Sequence, residues 1–481
     1  MYPYGRSLSH SLPSTHTNHH RRTFIFPRFM FVKFKDSLIF LNHFCGFLDL
    51  ILIASLFFSV GFVSRTYGYD PLDPNGNVTI RWDVIQDTGD GIQYVKLWIV
   101  NNQLFRHVEF PGWKLSWAWP GDEVIWSIKG AEATEQGNCS AFKARQLPHC
   151  CEKEPTIIDL LPGAPYTNQA RNCCKGGLLS SMIQDPAKYI AGFEMQIGSS
   201  GSNGYLPQVP QNFSLGLPGY TCSNPVQVPP TKSFEDQGRR RTQAIATYNV
   251  TCSYSQFRAA SAPTCCVSMS AFYSETIVPC PKCSCACQGQ NGSSCLRPGD
   301  LPPPLQVQAN EQPRPVVECS HHMCPIQVHW HVKQSYREYW RVKITVSNKN
   351  YVKNYSEWNL VVLHPNLRNL TQVFSFNYRP LNQYGNINDT GMFYGIDHYN
   401  DMLLQAGEKG NVQTEMLMYK DPETFTFREG WAFPRKISFN GQDCVMPLPD
   451  DYPQLPNSSH FSAPLSIFST FISFLLFLLI A

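Results

Sequence analysis

None of the short linear signatures that commit a chain to familiar chemistry occurs in these 481 residues. There is no Gly-x-Ser-x-Gly elbow, phosphate-binding loop, His-Glu-x-x-His or dinucleotide fingerprint, which excludes the enzyme classes built on them. No residue pattern calls for a cofactor. A glycosidase is the exception to this elimination, because its two carboxylates are brought together by the fold and leave no linear trace. Excess charge of one sign is also lacking. The formal net charge is +3 and the only dense basic run is Arg239-Arg240-Arg241, so nothing calls for nucleic acid. Internal repeats and heptads are absent and helical periodicity is scarce.

Apolar runs occur at the two ends. Leu465–Ala481 is uncharged, and no Lys or Arg follows it, unlike a helix meant to span a membrane and stay. It follows Asn457-Ser458-Ser459 and a short spacer, His460–Pro464. This is the pattern of a glycosylphosphatidylinositol (GPI) signal, with Asn457 as the attachment residue and Ser458 or Ser459 as alternatives. At the other end, five basic residues between Arg21 and Lys35 precede Leu50–Val63, which has the charge and length of a secretory leader. Cleavage after Gly68 starts the mature chain near Tyr69. The competing reading is an uncleaved anchor reaching back to Ser37. Met30 offers a later start, which makes residues 1–29 an extension.

Loss of Cys45 with the leader leaves 17 of the 18 cysteines. In a secreted chain they read as disulfides, with one left over. The candidates are Cys139, Cys150, Cys151, Cys173, Cys174, Cys222, Cys252, Cys265, Cys266, Cys280, Cys283, Cys285, Cys287, Cys295, Cys319, Cys324 and Cys444. Neighbouring side chains of an extended chain point to opposite sides. Each doublet, Cys150-Cys151, Cys173-Cys174 and Cys265-Cys266, is therefore expected to reach two different partners. Cys280-x-x-Cys283 lacks a matching second half for zinc, and His329-Trp330-His331 lacks an identifiable third ligand, so no metal site is assigned. Glycosylation sequons stand at Asn77, Asn138, Asn212, Asn249, Asn291, Asn354, Asn369 and Asn388, and each implies a surface position.

Between the ends, short β-rich runs alternate with Pro, Gly and Asn, the spacing of all-β sandwiches. The expected fold is mostly β: two antiparallel β-sandwich-like domains with multiple disulfides. Residues 1–68 form the extension and leader, 69–235 an N-terminal β domain and 236–450 a cysteine-rich C-terminal β domain. Pro225–Gly238 reads as the linker between the two, and 288–315 as a long loop. Residues 451–464 carry the anchor site, and 465–481 are removed.

Aromatic residues crowd the first domain. Strand parity puts Trp82 with Val84, and Trp126 with Val124 and Ile128, both as core. Val95, Leu97 and Ile99 form one apolar face, so Tyr94, Lys96 and Trp98 point the other way. Trp113, Trp117 and Trp119 share one parity, which allows either a core stripe or an exposed platform of rings. Flat rings stack on the apolar faces of sugars, so Tyr94, Trp98, Trp113, Trp117 and Trp119 are the glycan-binding candidates.

Several ordered motifs resemble the plant COBRA-like family. They include Tyr69-Asp-Pro-Leu-Asp-Pro74, Pro111-Gly-Trp113, Glu123-Val-Ile-Trp126, Asn172-Cys-Cys-Lys-Gly-Gly177 and Gly430-Trp-Ala-Phe-Pro434. Cys265-Cys-Val-Ser268 matches that family's CCVS motif. The likeness spans the mature chain. It implies a non-enzymatic, GPI-anchored protein on the outer leaflet of the plasma membrane, facing the cell wall. There it would bind cellulose or a related β-glucan and assist microfibril deposition, with its N-terminal region acting like a cellulose-binding module. Wall or membrane proteins are further possible partners, and a surface scaffold without glycan binding is the alternative.

Overall fold

The computed structural model describes residues 70, 72–89, 91–142, 147–199, 206–235, 239–259, 263–272, 274–283, 295–297, 316–381, 389–400, 402–403, 406–420 and 432–453. The leader, most of the 288–315 segment, Asn457 and the apolar tail lie outside these; the described part of 288–315 holds a short strand, Cys295–Leu296, where a loop was expected. No helix among the described residues is long and apolar enough to cross a membrane.

The fold is mostly β, with seven sheets among the described residues. Alternation of apolar and polar residues builds the first sandwich. Val78–Asp87, Ile92–Asn101 and Ile190–Ser199 each turn every second side chain inward. They lie at the centre of an antiparallel sheet in the order Val226–Val228, Ala246–Tyr254, Val78–Asp87, Ile92–Asn101, Ile190–Ser199, Glu123–Lys129, with Tyr220–Cys222 also pairing Ala246–Tyr254. The facing sheet runs Ala131–Ala133, Thr156–Asp159, Lys114–Ala118, Gln211–Ser214. Trp82 from one sheet meets Trp117 and Trp119 from the other edge to face, at centroid distances of 5.6 and 6.1 Å. These rings fill the space between the layers.

The second sandwich packs a six-stranded sheet, centred on Ile326–Ser335 and Tyr339–Asn348, against a five-stranded one centred on Asn359–Leu363. Trp330, Trp340 and Trp358 are fully buried there. Two pairings depart from the antiparallel expectation: the short pair Cys295–Leu296 with Val317–Glu318 is parallel, and Cys265–Ala271, the strand that begins with the CCVS residues, runs parallel to Ile326–Ser335. More than fifty residues connect the two strands in sequence, ample for the crossover that a parallel pair needs.

The domain boundary also moves. Pro225–Gly238 is no linker: it contains the edge strand Val226–Val228 and begins the hairpin Lys232–Glu235 with Arg240–Gln243. The chain then returns as Ala246–Tyr254 beside Val78–Asp87, completing the first sheet. The second sandwich therefore begins with the strand at Cys265 rather than at residue 236. The polar, proline-containing composition that reads as a linker belongs to edge and hairpin strands, where proline and polar residues are tolerated.

The disulfides pair Cys139–Cys151, Cys173–Cys174, Cys222–Cys252, Cys265–Cys444, Cys266–Cys280, Cys283–Cys324 and Cys295–Cys319. Only the CCVS doublet reaches two partners. Cys173 and Cys174 bond each other, because positive φ at Asn172 and Cys174 makes this a turn in which neighbouring side chains converge. Cys150 is a buried free thiol, held by a bridge to Ile125 that turns it into the core. Cys285 and Cys287 lie outside the described residues.

Candidate functional site

The outward face of the first sandwich's larger sheet is the surface that parity predicts. Tyr94, Lys96 and Trp98 project from Ile92–Asn101, while Val95, Leu97 and Ile99 are buried beneath. Cross-strand register sets Tyr94 opposite Gln196, Lys96 opposite Glu194 and Trp98 opposite Gly192. Tyr94 is 38% exposed. Lys96 and Glu194 form an ion pair at 3.2 Å. Trp98 is half-buried and lies down over Gly192, where a Cβ would come within 2.9 Å of its ring. The Arg81 guanidinium sits 5.5 Å from the Trp98 ring centre. Beside Tyr94 a shallow depression of about 210 Å³ is lined by Gln86, Lys96, Lys129, Glu194 and Gln196. Two rings four residues apart on one strand are about 13 Å apart along it, with hydrogen-bonding side chains between them. Such a surface suits an extended polar chain with apolar faces.

Trp113, Trp117 and Trp119 are corrected from the exposed alternative to core. All three are buried, Trp117 against Trp82, Trp119 and Phe213, and Trp113 stacked on Phe193 at 5.9 Å. Their shared parity is the core stripe. Trp126 moves the other way. A register shift between Ile125 and Ser127 bulges the strand, so Trp126 leaves the inner face and packs half-buried on Phe142. A single-residue bulge cannot be read from alternation alone.

Among the sequons, Asn138, Asn212 and Asn354 are exposed, and Asn77 and Asn249 are half-buried. The Asn77 carboxamide oxygen accepts hydrogen bonds from Thr79 at 2.8 Å and Asn102 at 3.2 Å. The side chain of Asn369 and all of Asn291 and Asn388 lie outside the described residues.

In the second sandwich Trp330 is core, while His329 and His331 face outward. Both ring nitrogens of His329 lie within hydrogen-bond distance of serine hydroxyls, Ser268 at 2.7 Å and Ser270 at 2.9 Å, and Ser270 also meets His331 at 2.7 Å. Burial, reinforced by His331 and Lys343, pushes the His329 imidazole down to about 4, so it is neutral near pH 7. The row is a hydrogen-bonded strand face. Cys266, His322 and Cys324 also converge, but both sulfurs are committed to disulfides.

Sequence patterns gave no hint of the seam between the sandwiches, which lies within one compact unit. Phe105–Phe110 threads along it. The Asn359 amide donates to the Phe105 carbonyl at 2.7 Å, and Arg106 pairs with Asp70 at 2.6 Å while stacking 3.8 Å over Tyr254. Glu109 bonds Lys353 and Asn440 of the second sandwich. Glu357 of the second bonds Ser180 and Lys188 of the first. Burial opposes ionisation of Glu109, but the charge and hydrogen bond of Lys353 outweigh it and hold the carboxyl below its ordinary range. Glu109 and Glu357 line one cleft here, as the two carboxylates of a glycosidase would. Each is engaged by a lysine, and the lowered Glu109 is the opposite of a proton-holding general acid. These residues come from six separate segments with no shared spacing; only Tyr69–Pro74, which contains Asp70, and Pro111-Gly-Trp113, next to Phe110, drew attention in the sequence.

Residues 93–255 match the COBRA N-terminal domain and residues 264–453 the COBRA family C-terminal domain. The chain is 58% identical to COBRA-like protein 6 of Arabidopsis thaliana, over 82% of this chain and 87% of that protein. It is 54% identical to COBRA-like protein 1 of Oryza sativa subsp. japonica, over 85% and 92%. With Protein COBRA of Arabidopsis thaliana it shares 53%, over 84% and 90%. The gap between the two matched domains, 256–263, coincides with the passage from the last strand of the first sandwich to the CCVS strand. The chain belongs to the COBRA-like family.

Proposed function

We propose that this protein is a non-enzymatic component of the plant cell wall that binds cellulose or a related β-glucan through the outward face of its first sandwich, and so assists the ordering of microfibrils. The observation that carries this reading is that Tyr94, 38% exposed, and the half-buried Trp98 share the outward face of a strand whose other face is core. Ring faces supply stacking, and Gln196, Lys96 and Glu194 supply hydrogen bonds to hydroxyls. The apolar tail and Asn457-Ser458-Ser459 support a GPI anchor that keeps the protein on the outer leaflet of the plasma membrane.

Retention on crystalline cellulose tests the binding. The Tyr94→Ala, Trp98→Ala double variant is expected to bind at least about tenfold more weakly, from two stacking contacts of about 1 kcal/mol each. Equal retention of variant and parent would overturn the reading. It would favour the scaffold alternative, which gains support from the burial of Trp113, Trp117 and Trp119.

A further inference from the structure

On one flank of the seam the two sandwiches enclose a cleft of about 460 Å³. Its first wall carries Phe110 and Leu178, 44% and 41% exposed, both large apolar groups left open to solvent. Its second wall is Lys353–Glu357, and within it stands Asn354, the exposed acceptor of the sequon Asn354-Tyr355-Ser356. The residues on either side of Asn354 are fixed. Lys353 reaches across the seam to Glu109, and Tyr355 is buried and paired with Leu403. The backbone that carries the acceptor is therefore fixed at the wall of the cleft. Asn138 and Asn212, also exposed, line no part of this cleft.

We propose that Asn354 carries an N-linked carbohydrate that folds back into the cleft and acts as a covalent wedge between the two sandwiches. The chemistry fits a saccharide. Phe110 and Leu178 offer apolar surface to the flat faces of sugar rings, and the Lys188–Glu357 pair, which bridges the two walls, offers a donor and an acceptor to hydroxyls. Tethering makes weak contacts sufficient, because a group attached at the rim has an effective concentration in the millimolar range. The cleft would then be filled by the protein's own modification. This proposal does not depend on glucan binding by the Tyr94 face.

Glycopeptide mass spectrometry of the intact secreted protein reads occupancy at each sequon, and timed digestion with a peptide N-glycosidase reads access. Asn354 is expected to be occupied, and in the native protein to lose its carbohydrate at least about tenfold more slowly than Asn212, with the two rates equal after denaturation. Asn354→Gln is expected to lower the melting temperature by about 2–4 °C, the shift a small loss of stability gives in a domain of this size, while Ser214→Ala, which removes the Asn212 sequon and spares the positive-φ asparagine, leaves it unchanged. An unoccupied Asn354, equal native release rates, or an unshifted melting temperature for Asn354→Gln each overturns the proposal. A neutral oligosaccharide that binds the cleft of the fully glycosylated protein overturns it too, since a filled cleft has no room for one.

Discussion

Trp117 touches Trp82, Trp119 and Phe213 at centroid distances of 5.6, 5.5 and 6.0 Å and has no solvent contact worth the name. Its truncation leaves a cavity between two sheets that cannot close over it. Trp117→Ala is therefore expected to destabilise the first sandwich by about 3–5 kcal/mol, read as a large drop in denaturant midpoint or as failure of secretion. Retention of wild-type stability would return Trp117 to the surface. At this scale the sequence was legible where a strand is regular and opaque where it is not. Alternation separated Tyr94 and Trp98 from Val95, Leu97 and Ile99 because that strand carries no extra residue: its register with Ile190–Ser199 is unbroken, and the bulge in its other pairing falls on Ile85 of the neighbouring strand. It failed at Trp126 because a bulge inserts one residue and exchanges the faces. It failed at Cys173-Cys174 because positive φ cancels the divergence assumed for an extended chain.

The strand Ile326–Ser335 shows what the CCVS element does. Inward it buries Val328, Trp330 and Val332; outward it presents His329 and His331 to the Ser268 and Ser270 hydroxyls of the parallel neighbour. Groups packed about His329 on this face include His331, Lys343 and the two serine hydroxyls, none of which carries a negative charge. The unfolded chain titrates histidine near 6.5, the folded one at about 4 for His329. Between these values the unfolded state binds the extra proton, so stability is intact above about pH 6.5 and falls as pH drops toward 4. His364, buried and stacked on Trp330, is pushed down to about 3 and acts in the same sense. The melting temperature should decline from about pH 6.5 to about pH 4.5, and less steeply in His329→Gln. An identical slope in that variant would remove His329 from the account. The existence of this strand was plain in its alternation. Its parallel partner was not, because strand direction is settled by a connection of more than fifty residues that alternation does not report.

The two sandwiches are joined by an apolar cluster, Leu72 and Phe105 of the first against Val361, Leu381 and Met392 of the second, and by charged and amide groups that cross the seam: Glu109 to Lys353 and Asn440, Glu357 to Ser180 and Lys188, Asn359 to the Phe105 carbonyl. Lys353 and Glu109 side chains keep 31% and 30% of their surface, so the pair is only partly desolvated. Glu109→Gln, which leaves the ammonium without its counter-charge, is expected to cost about 1–3 kcal/mol and to loosen the coupling of the two halves. In calorimetry the first effect appears as a lower transition temperature and the second as separation of one transition into two. A variant that melts like the parent would show the seam to be held elsewhere. Two β domains were expected from the sequence, but the point where one becomes the other was not, since Pro225–Gly238 has linker composition and sheet structure. Chain composition reports solvent exposure, and the edge of a sheet is as exposed as a linker.

Val78–Asp87 sits at the middle of its sheet, with Ile92–Asn101 on one side and Ala246–Tyr254 on the other. The first neighbour emerges from the ribosome almost at once. The second follows roughly 160 residues later, which at ~5–20 residues per second means a wait of about 10–30 s. Throughout that interval the N–H and C=O groups along one edge of the strand have no partner, beside the uncovered apolar face of Ile80, Trp82 and Val84, and the edge is an open template for any other unfinished chain. Biosynthesis of this protein therefore has a vulnerable window set by topology, and the strand that closes it is one whose lead-in has the composition of a dispensable linker.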